Sequence, residues 1–165
     1  MVEVLFYHLT RGSVESVLPG LLERSLARGW RAVVRSTLPE RVAALDAHLW
    51  TYADASFLPH GAPGAPFPER QPVWLTAGEE MPNAPDVLFL IDGAPVRPAE
   101  VAGLARAVVI FDGADAAAVA RAREDWRAVC DAGFTAVYWA QEDGRWREKA
   151  RAGGTLSPRA EGRAD

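Results

Sequence analysis

Short apolar runs alternate along the chain with segments whose apolar residues recur at helical spacing. The apolar runs are rich in β-branched and aromatic residues, a composition typical of buried strands. They are Val2–His8, Arg31–Ser36, Val73–Thr76, Val87–Ile91, Ala107–Phe111 and Thr135–Ala140. We expect each of them to form a strand.

Helices are predicted between these strands. The first has Ser13 as a candidate N-cap and ends at Gly29. Pro19 leaves two possibilities open, because the helix could start near Val17 or be kinked at the proline. The others are a helix opened by Pro39, a short helix at Pro98–Leu104, and a long helix from a cap at Asp115 to about Ala132.

Strands that alternate with helices predict an α/β fold, with a single domain built on a mostly parallel open sheet and helices on both faces. The chain has 165 residues, enough for one such core. Its end is rich in small and polar residues. We therefore expect a domain at residues 1–150 and a flexible C-terminal tail at residues 151–165.

Charge and cysteine content exclude several classes of protein. The chain has 18 Lys+Arg against 22 Asp+Glu, a net charge of −4, which argues against broad binding to a phosphate backbone. Cys130 is the single cysteine, so an internal disulfide and a cysteine metal cage are excluded. No apolar segment suits a signal peptide or a membrane span, so we expect a cytoplasmic protein with no membrane partner.

Motifs for nucleotide binding and catalysis are missing from the sequence. The turn after the first strand holds a single glycine, where a GxGxxG or P-loop motif would need more. Ser56, His60 and Asp92 could be imagined as a hydrolase site, but nothing near Ser56 resembles a nucleophile elbow. The other histidines, His8 and His48, complete no metal-ligand spacing. We expect no metal, no cofactor and no catalysis by this chain alone.

The long helix near the C-terminus carries a basic and aromatic face. Arg123, Trp126 and Arg127 lie at positions i, i+3 and i+4 and therefore share one side. Such a face suits an acidic peptide with an apolar last residue, because arginine can bind the terminal carboxylate. Two alternatives stay open: Trp126 could belong to the core, and Arg123 could pair with Glu124 or Asp125 or be solvated.

Aromatic, proline and histidine residues crowd into residues 45–61, where a helix should meet a loop. Trp50 and Phe57 are bulky for a surface connection, and Pro59 restricts the backbone between them and the loop. Residues 59–72 contain five prolines and form a long irregular loop, a type that is often functional or mobile. Trp50 and Phe57 either form a docking surface or fill the core beneath this loop.

These segments resemble the chi subunit family of bacterial DNA polymerase III. The resemblance rests on LDAHLW followed by SFLPHG within residues 45–61, on the opening strand VLFYHL, on RGWRAVV at residues 28–34, and on the late helix that closes with AGF at residues 132–134. It covers roughly residues 1–150. It implies an α/β fold and a non-catalytic adaptor in DNA replication.

The resemblance implies a partner for the late helix. This helix is similar to the family's surface for the C-terminal tail of single-stranded DNA-binding protein, which is acidic and ends in proline and phenylalanine. The family's basic, aromatic and basic positions correspond to Arg123, Trp126 and Arg127. DNA would be contacted only indirectly, through this protein.

A second partner is implied for the aromatic segment. Trp50 and Phe57, together with Pro59 and His60, resemble the family's surface for the psi subunit, which links chi to the clamp loader, or for a helicase that competes with psi. The alternative to an adaptor is a nucleotide- or small-substrate-binding α/β enzyme. Titration with ATP and with a tail peptide would separate these two hypotheses.

Overall fold

The computed structural model describes residues 2–53 and 58–153. Within these ranges the chain forms seven strands, four α-helices and one 3-10 helix. In chain order they are β1 (Glu3–Leu9), α1 (Val14–Ala27), β2 (Ala32–Arg35), α2 (Pro39–Thr51), the 3-10 helix Pro68–Arg70, β3 (Val73–Thr76), β4 (Val87–Leu90), α3 (Pro98–Val101), β5 (Arg106–Asp112), α4 (Ala116–Asp131), β6 (Thr135–Glu142) and β7 (Arg145–Gly153).

The strands form one sheet in the order β3-β2-β4-β5-β1-β6-β7. Neighbouring strands from β3 to β6 pair in parallel, and β7 pairs antiparallel with β6 at one edge. The predicted α/β fold with a mostly parallel open sheet is therefore confirmed.

Two apolar layers cover the two faces of this sheet. One cluster packs α1 and α2 against the sheet, and the other packs α3 and α4 against the opposite face. The connection from β1 through α1 runs toward the β3 edge, whereas the connection from β5 through α4 runs toward the β7 edge. Since parallel crossovers are right-handed, two connections in opposite directions place their helices on opposite faces.

The central strand β1 contributes alternate side chains to the two faces. Leu5 and Tyr7 pack with the α1 and α2 layer, whereas Phe6 packs with the α4 layer. His8, next but one after Phe6, also lines a cavity on the α4 side. Because of this alternation, β1 lines one cavity on each face of the sheet.

Helix α1 runs through Pro19 without ending there. Proline has no N–H to donate to the carbonyl of Glu15 one turn earlier. That carbonyl instead contacts Nε2 of His48 on α2 at 2.9 Å. The possibility that the helix starts near Val17 is therefore wrong, because α1 starts at Val14 and contains the proline.

Strand β7 was not expected from the sequence, which placed the last strand at Thr135–Ala140. Asp143 and Gly144 both have positive φ, at 51° and 75°, and form the turn between β6 and β7. An Asp-Gly pair is the typical sequence of such a hairpin turn. β7 continues to Gly153, and the remainder of the expected tail, residues 154–165, lies outside the described residues.

None of the helices in the described ranges is both long enough and apolar enough to cross a membrane.

Candidate functional site

A cavity of about 380 Å³ opens between α4 and the sheet, and we call it the α4 cavity. Its lining residues come from β1, β5, α4, β6 and β7. They are Phe6, His8, Phe111, Val119, Ala122, Arg123, Trp126, Tyr138 and Ala150. Most of the wall is apolar or aromatic, and Arg123 is its one arginine.

Strand register builds the floor of the α4 cavity. Phe6 lies opposite Tyr138 of β6, and His8 lies opposite Phe111 of β5. The His8 and Phe111 ring centroids are 5.2 Å apart, and Nδ1 of His8 contacts the Tyr138 hydroxyl. A Cβ at Gly113 would overlap the His8 ring, so glycine is required where the chain leaves β5.

Trp126 belongs partly to the core and partly to the cavity. It shares an apolar stripe of α4 with the buried residues Ala122 and Val129. Its ring centroid lies 5.3 Å from that of Phe6. The residue is half-buried and also lines the cavity. The two hypotheses for Trp126, core residue or pocket wall, are therefore compatible.

The two arginines of the predicted face are exposed. Arg123 lines the α4 cavity, and Arg127 lies one turn further along α4, outside the lining. Burial raises the pKa of the Tyr138 hydroxyl, and the nearby Arg123 acts in the opposite direction. Among the described residues, neither arginine forms an ion pair, including with Glu124 or Asp125. Both guanidinium groups are thus open to an anionic ligand.

Sequence reasoning found the helical side of the α4 cavity but not its floor. Phe6, His8, Phe111 and Tyr138 come from three different strands. Alternation along β1 would have placed Phe6 and His8 on one face. It could not have shown that this face lies under α4, because that depends on the strand order.

A second concave surface, the docking groove, has a volume of about 480 Å³ and lies between the end of α2 and the proline-rich loop. Residues of the loop make up most of its lining. Its lining residues are Asp46, Trp50, Pro59, His60, Gly61, Ala62, Pro63, Ala65, Pro66 and Gln71.

Trp50 is 50% exposed and rests on His60, with ring centroids 4.4 Å apart. His60 itself is 5% exposed. Its Nδ1 contacts the Leu58 carbonyl at 2.8 Å, and its Nε2 contacts Oδ1 of Asp46 at 2.8 Å. His60 therefore joins the loop to α2, and its ring packs against the Trp50 ring. Phe57, the other predicted aromatic, lies outside the described residues.

The loop is fixed to the edge of the sheet at Gly61. Its N–H donates to the Val73 carbonyl at 2.9 Å, and its carbonyl accepts from the Leu75 N–H at 2.8 Å.

Further along the loop, Phe67 is 60% exposed and has a φ of 52°. The guanidinium carbon of Arg70 lies 5.2 Å from the centroid of the Phe67 ring. The sequence interpretation did not single out Phe67, although an aromatic between two prolines was visible there.

A crevice also lies at the carboxyl ends of the strands, between β1 and β5, where the connections leave in opposite directions. Open α/β sheets often bind nucleotides at such a point. Here carboxylates outnumber the two arginines, Arg41 and Arg121. The acidic residues are Glu15, Asp92, Asp112, Asp115 and Asp125. A phosphate would therefore meet like charges, which does not favour the nucleotide-binding alternative.

The imagined hydrolase grouping is not assembled in the part of the chain that the structure describes. Asp92 accepts a hydrogen bond from Oγ of Ser36 at 2.6 Å and pairs with Arg41 at 3.1 Å. His60 contacts Asp46 instead, and Ser56 lies outside the described residues. In residues 2–53 and 58–153, no group of three or more histidine, cysteine, aspartate or glutamate residues could hold a metal ion.

Comparison with known proteins relates the chain to one protein family and to a named protein. Residues 1–137 match the family described as DNA polymerase III chi subunit, HolC. A protein of Rickettsia prowazekii (strain Madrid E), named probable DNA polymerase III subunit chi, is 26% identical over 111 residues. These are 67% of this chain and 66% of the relative, so the alignment spans just under two thirds of the relative's length. The family match includes α4 and the docking groove and ends before β7.

Proposed function

The chain belongs to the DNA polymerase III chi subunit family, and from this we propose that it is a non-catalytic adaptor in DNA replication. It binds the C-terminal tail of single-stranded DNA-binding protein at the α4 cavity. It links that protein to the clamp loader through a partner at the docking groove. The contacts at the two sites together hold the replicase at single-stranded DNA coated by that protein more firmly than either contact alone.

The observation that carries the proposal is an apolar cavity with free guanidinium groups beside it. Phe6, Phe111 and Trp126 supply an aromatic wall for a terminal phenylalanine ring. Arg123 lies at the same cavity, exposed and without an ion pair among the described residues. A chain that ends in an aromatic residue presents a ring and a carboxylate together, which is the combination this cavity can bind.

Each residue of the α4 face has its own role in this proposal. Arg123 binds the terminal carboxylate, and Trp126 forms one wall around the terminal ring. Arg127, one turn away and outside the cavity, meets the acidic residues that precede the end of the tail. The first contact is partly desolvated and the last one is open to water, so they should differ in strength and in salt dependence.

The docking groove suits a different kind of partner. Its exposed anchors are Trp50 and, beside the groove, Phe67, and exposed aromatics are common at the centre of protein interfaces. We assign it to the psi subunit or to a competing helicase. Pro59 and Phe57 belong to the same proposed surface, and the buried His60 holds Trp50 in place.

Titration calorimetry tests the proposal with the tail peptide of single-stranded DNA-binding protein. The full peptide should bind, and a peptide that lacks the final phenylalanine should bind at least about tenfold more weakly, since it loses the buried ring. A scrambled peptide of the same charge is the control. Equal affinity for the full and shortened peptides would contradict the proposal, and binding of ATP without peptide binding would favour the enzyme alternative.

A further inference from the structure

A third cavity, the Tyr7 cavity, lies on the opposite face of the sheet from the α4 cavity. It has a volume of about 540 Å³ and is bounded by the C-terminal half of α1 and by strands β1, β4, β5, β6 and β7. Tyr7 precedes His8 in β1, so strand alternation sends their side chains to the two different cavities. A ligand of the Tyr7 cavity would not touch the α4 cavity.

The lining of the Tyr7 cavity is partly apolar and partly polar, and most of its polar groups are donors. The apolar wall is made by Leu5, Leu21, Val87, Phe89, Val108 and Val137. Nε of Arg106 and Nε1 of Trp139 are buried, and neither has a hydrogen-bond partner among the described residues. Leaving a buried N–H unpaired costs about 1–3 kcal/mol. Because these two N–H groups are shielded from solvent, a ligand in the cavity meets the exposed guanidinium groups of the lining instead.

Positive charge is in excess around the Tyr7 cavity. Glu3 is the one carboxylate in the lining, and it pairs with Arg106 and Arg151. Arg24 and Arg28 also line the cavity, are exposed, and form no ion pair among the described residues. The net charge therefore favours an anion.

Tyr7 places this charge close to the apolar wall. Burial raises the pKa of its hydroxyl, and the positive charges of Arg106 and Arg24 act in the opposite direction. The charges of both guanidinium groups are therefore felt at the Tyr7 hydroxyl. The Tyr7 ring stacks on Trp146 with centroids 4.8 Å apart, which fixes its position.

We propose that the Tyr7 cavity binds a small organic carboxylate with an apolar body. Arg24 and Arg28, one helical turn apart, exposed, and without an ion pair among the described residues, receive the carboxylate, and the apolar wall buries the rest. The cavity volume is in the range of small-molecule sites, and the arginines of the lining would orient an anionic ligand. Two of the lining residues, Trp139 and Arg151, lie beyond the family match, which ends at residue 137.

Octanoate, 1-octanol and octylamine test the proposal as probes of equal length and different charge. Protein labelled with ¹⁵N is titrated, and the indole N–H signals of its tryptophans are followed. Octanoate should shift the Trp139 signal saturably, octanol should bind several-fold more weakly, and octylamine should not bind. Equal binding of the three probes, or octanoate shifts at Trp126 and not at Trp139, would overturn the proposal.

Two variants and a matched control sharpen this test. Arg28→Gln removes one of the two guanidinium groups, so octanoate affinity should fall about fivefold while the melting temperature stays the same, because Arg28 is exposed. Arg24→Gln should lower octanoate affinity by a similar factor, and the effect should be smaller at high salt. Arg11→Gln changes an exposed arginine elsewhere and should leave binding unchanged. Arg24 and Arg28 are both exposed, so both variants should fold, and unchanged octanoate affinity in both would overturn the proposal.

Discussion

The α4 cavity and the docking groove differ in what holds their residues and in the charge they carry. Helix and strand side chains build the α4 cavity, which has Arg123 in its wall and Arg127 nearby. A helix end and a loop build the docking groove, whose lining in the described residues contains Asp46 and no arginine. The α4 cavity therefore has an arginine that can bind an anionic ligand, whereas the described part of the docking groove has none. Ligand binding at the two sites should respond differently to salt concentration and to mutation.

Trp50→Ala should separate the two sites most strongly. Capture of a psi-like or helicase partner should weaken by about 3 kcal/mol, as is typical for a central aromatic anchor. Tail-peptide binding should not change. Because half of the Trp50 surface is exposed, the loss in unfolding free energy should be under about 1 kcal/mol. Pull-down, calorimetry and thermal melting check the three parts, and a large drop in melting temperature would instead identify Trp50 as a core residue.

Arg123→Ala should have the next largest effect, on the α4 cavity only. Loss of the partner of a desolvated carboxylate should cost about 2 kcal/mol of tail-peptide binding. Stability should stay constant, because Arg123 is exposed. Calorimetry measures the affinity, with Arg11→Ala as the control. An Arg123→Ala variant that binds the peptide as tightly as the unmodified protein would remove the proposed carboxylate site.

Asp125→Asn tests whether the crevice side of α4 serves stability and not binding. Burial raises the pKa of Asp125 from 3.8 to about 6. The folded state therefore holds this proton more tightly than the unfolded state, so stability should fall as pH rises from about 4 to about 6. The variant should be more stable at pH 7 by about 1 kcal/mol, a figure reduced for partial solvent screening.

The same variant should equal the unmodified protein near pH 3, where Asp125 is mostly protonated in both the folded and the unfolded state. Asparagine keeps an acceptor for the Val96 N–H, which lies 3.4 Å from Oδ1 of Asp125. Thermal melting at the two pH values gives the comparison. A tail-peptide affinity that changes with Asp125→Asn would show that the two sides of α4 are coupled.

Arg127→Ala should have the smallest effect. This side chain is exposed and lies outside the cavity lining, so its contact with acidic tail residues should contribute only about 0.5 kcal/mol. The loss should shrink as salt increases, because a solvent-exposed pair is screened. Calorimetry at low and high salt measures both. A loss that persists at high salt would place Arg127 inside the pocket with Arg123.

The residues of the α4 face were predictable because helical spacing alone puts positions i, i+3 and i+4 together. The residues of the cavity floor could not be predicted in this way. Phe6 lies next to Tyr138, and His8 next to Phe111, only because of the register of strands that are far apart in the chain. The order of those strands depends on the packing of the whole sheet.

The course of α1 at Pro19 and the presence of strand β7 were also not predicted from the sequence, each for its own reason. The sequence could not decide how the helix accommodates Pro19, because the answer depends on His48 in the next helix, which contacts the freed Glu15 carbonyl. Strand β7 lacks the apolar alternation of a half-buried strand, since most of its residues are exposed. Its signal was the turn at Asp143 and Gly144, and that signal was overlooked.

The most direct test of the central claim follows the indole N–H signals of the six tryptophans in ¹⁵N-labelled protein as tail peptide is added. Trp126 lines the proposed tail site and Trp50 lines the groove assigned to the other partner. We predict a saturable shift of the Trp126 signal, an unchanged Trp50 signal, and loss of the Trp126 shift with the peptide that lacks its final phenylalanine. A shift of Trp50 without a shift of Trp126 would contradict the assignment of the tail to the α4 cavity.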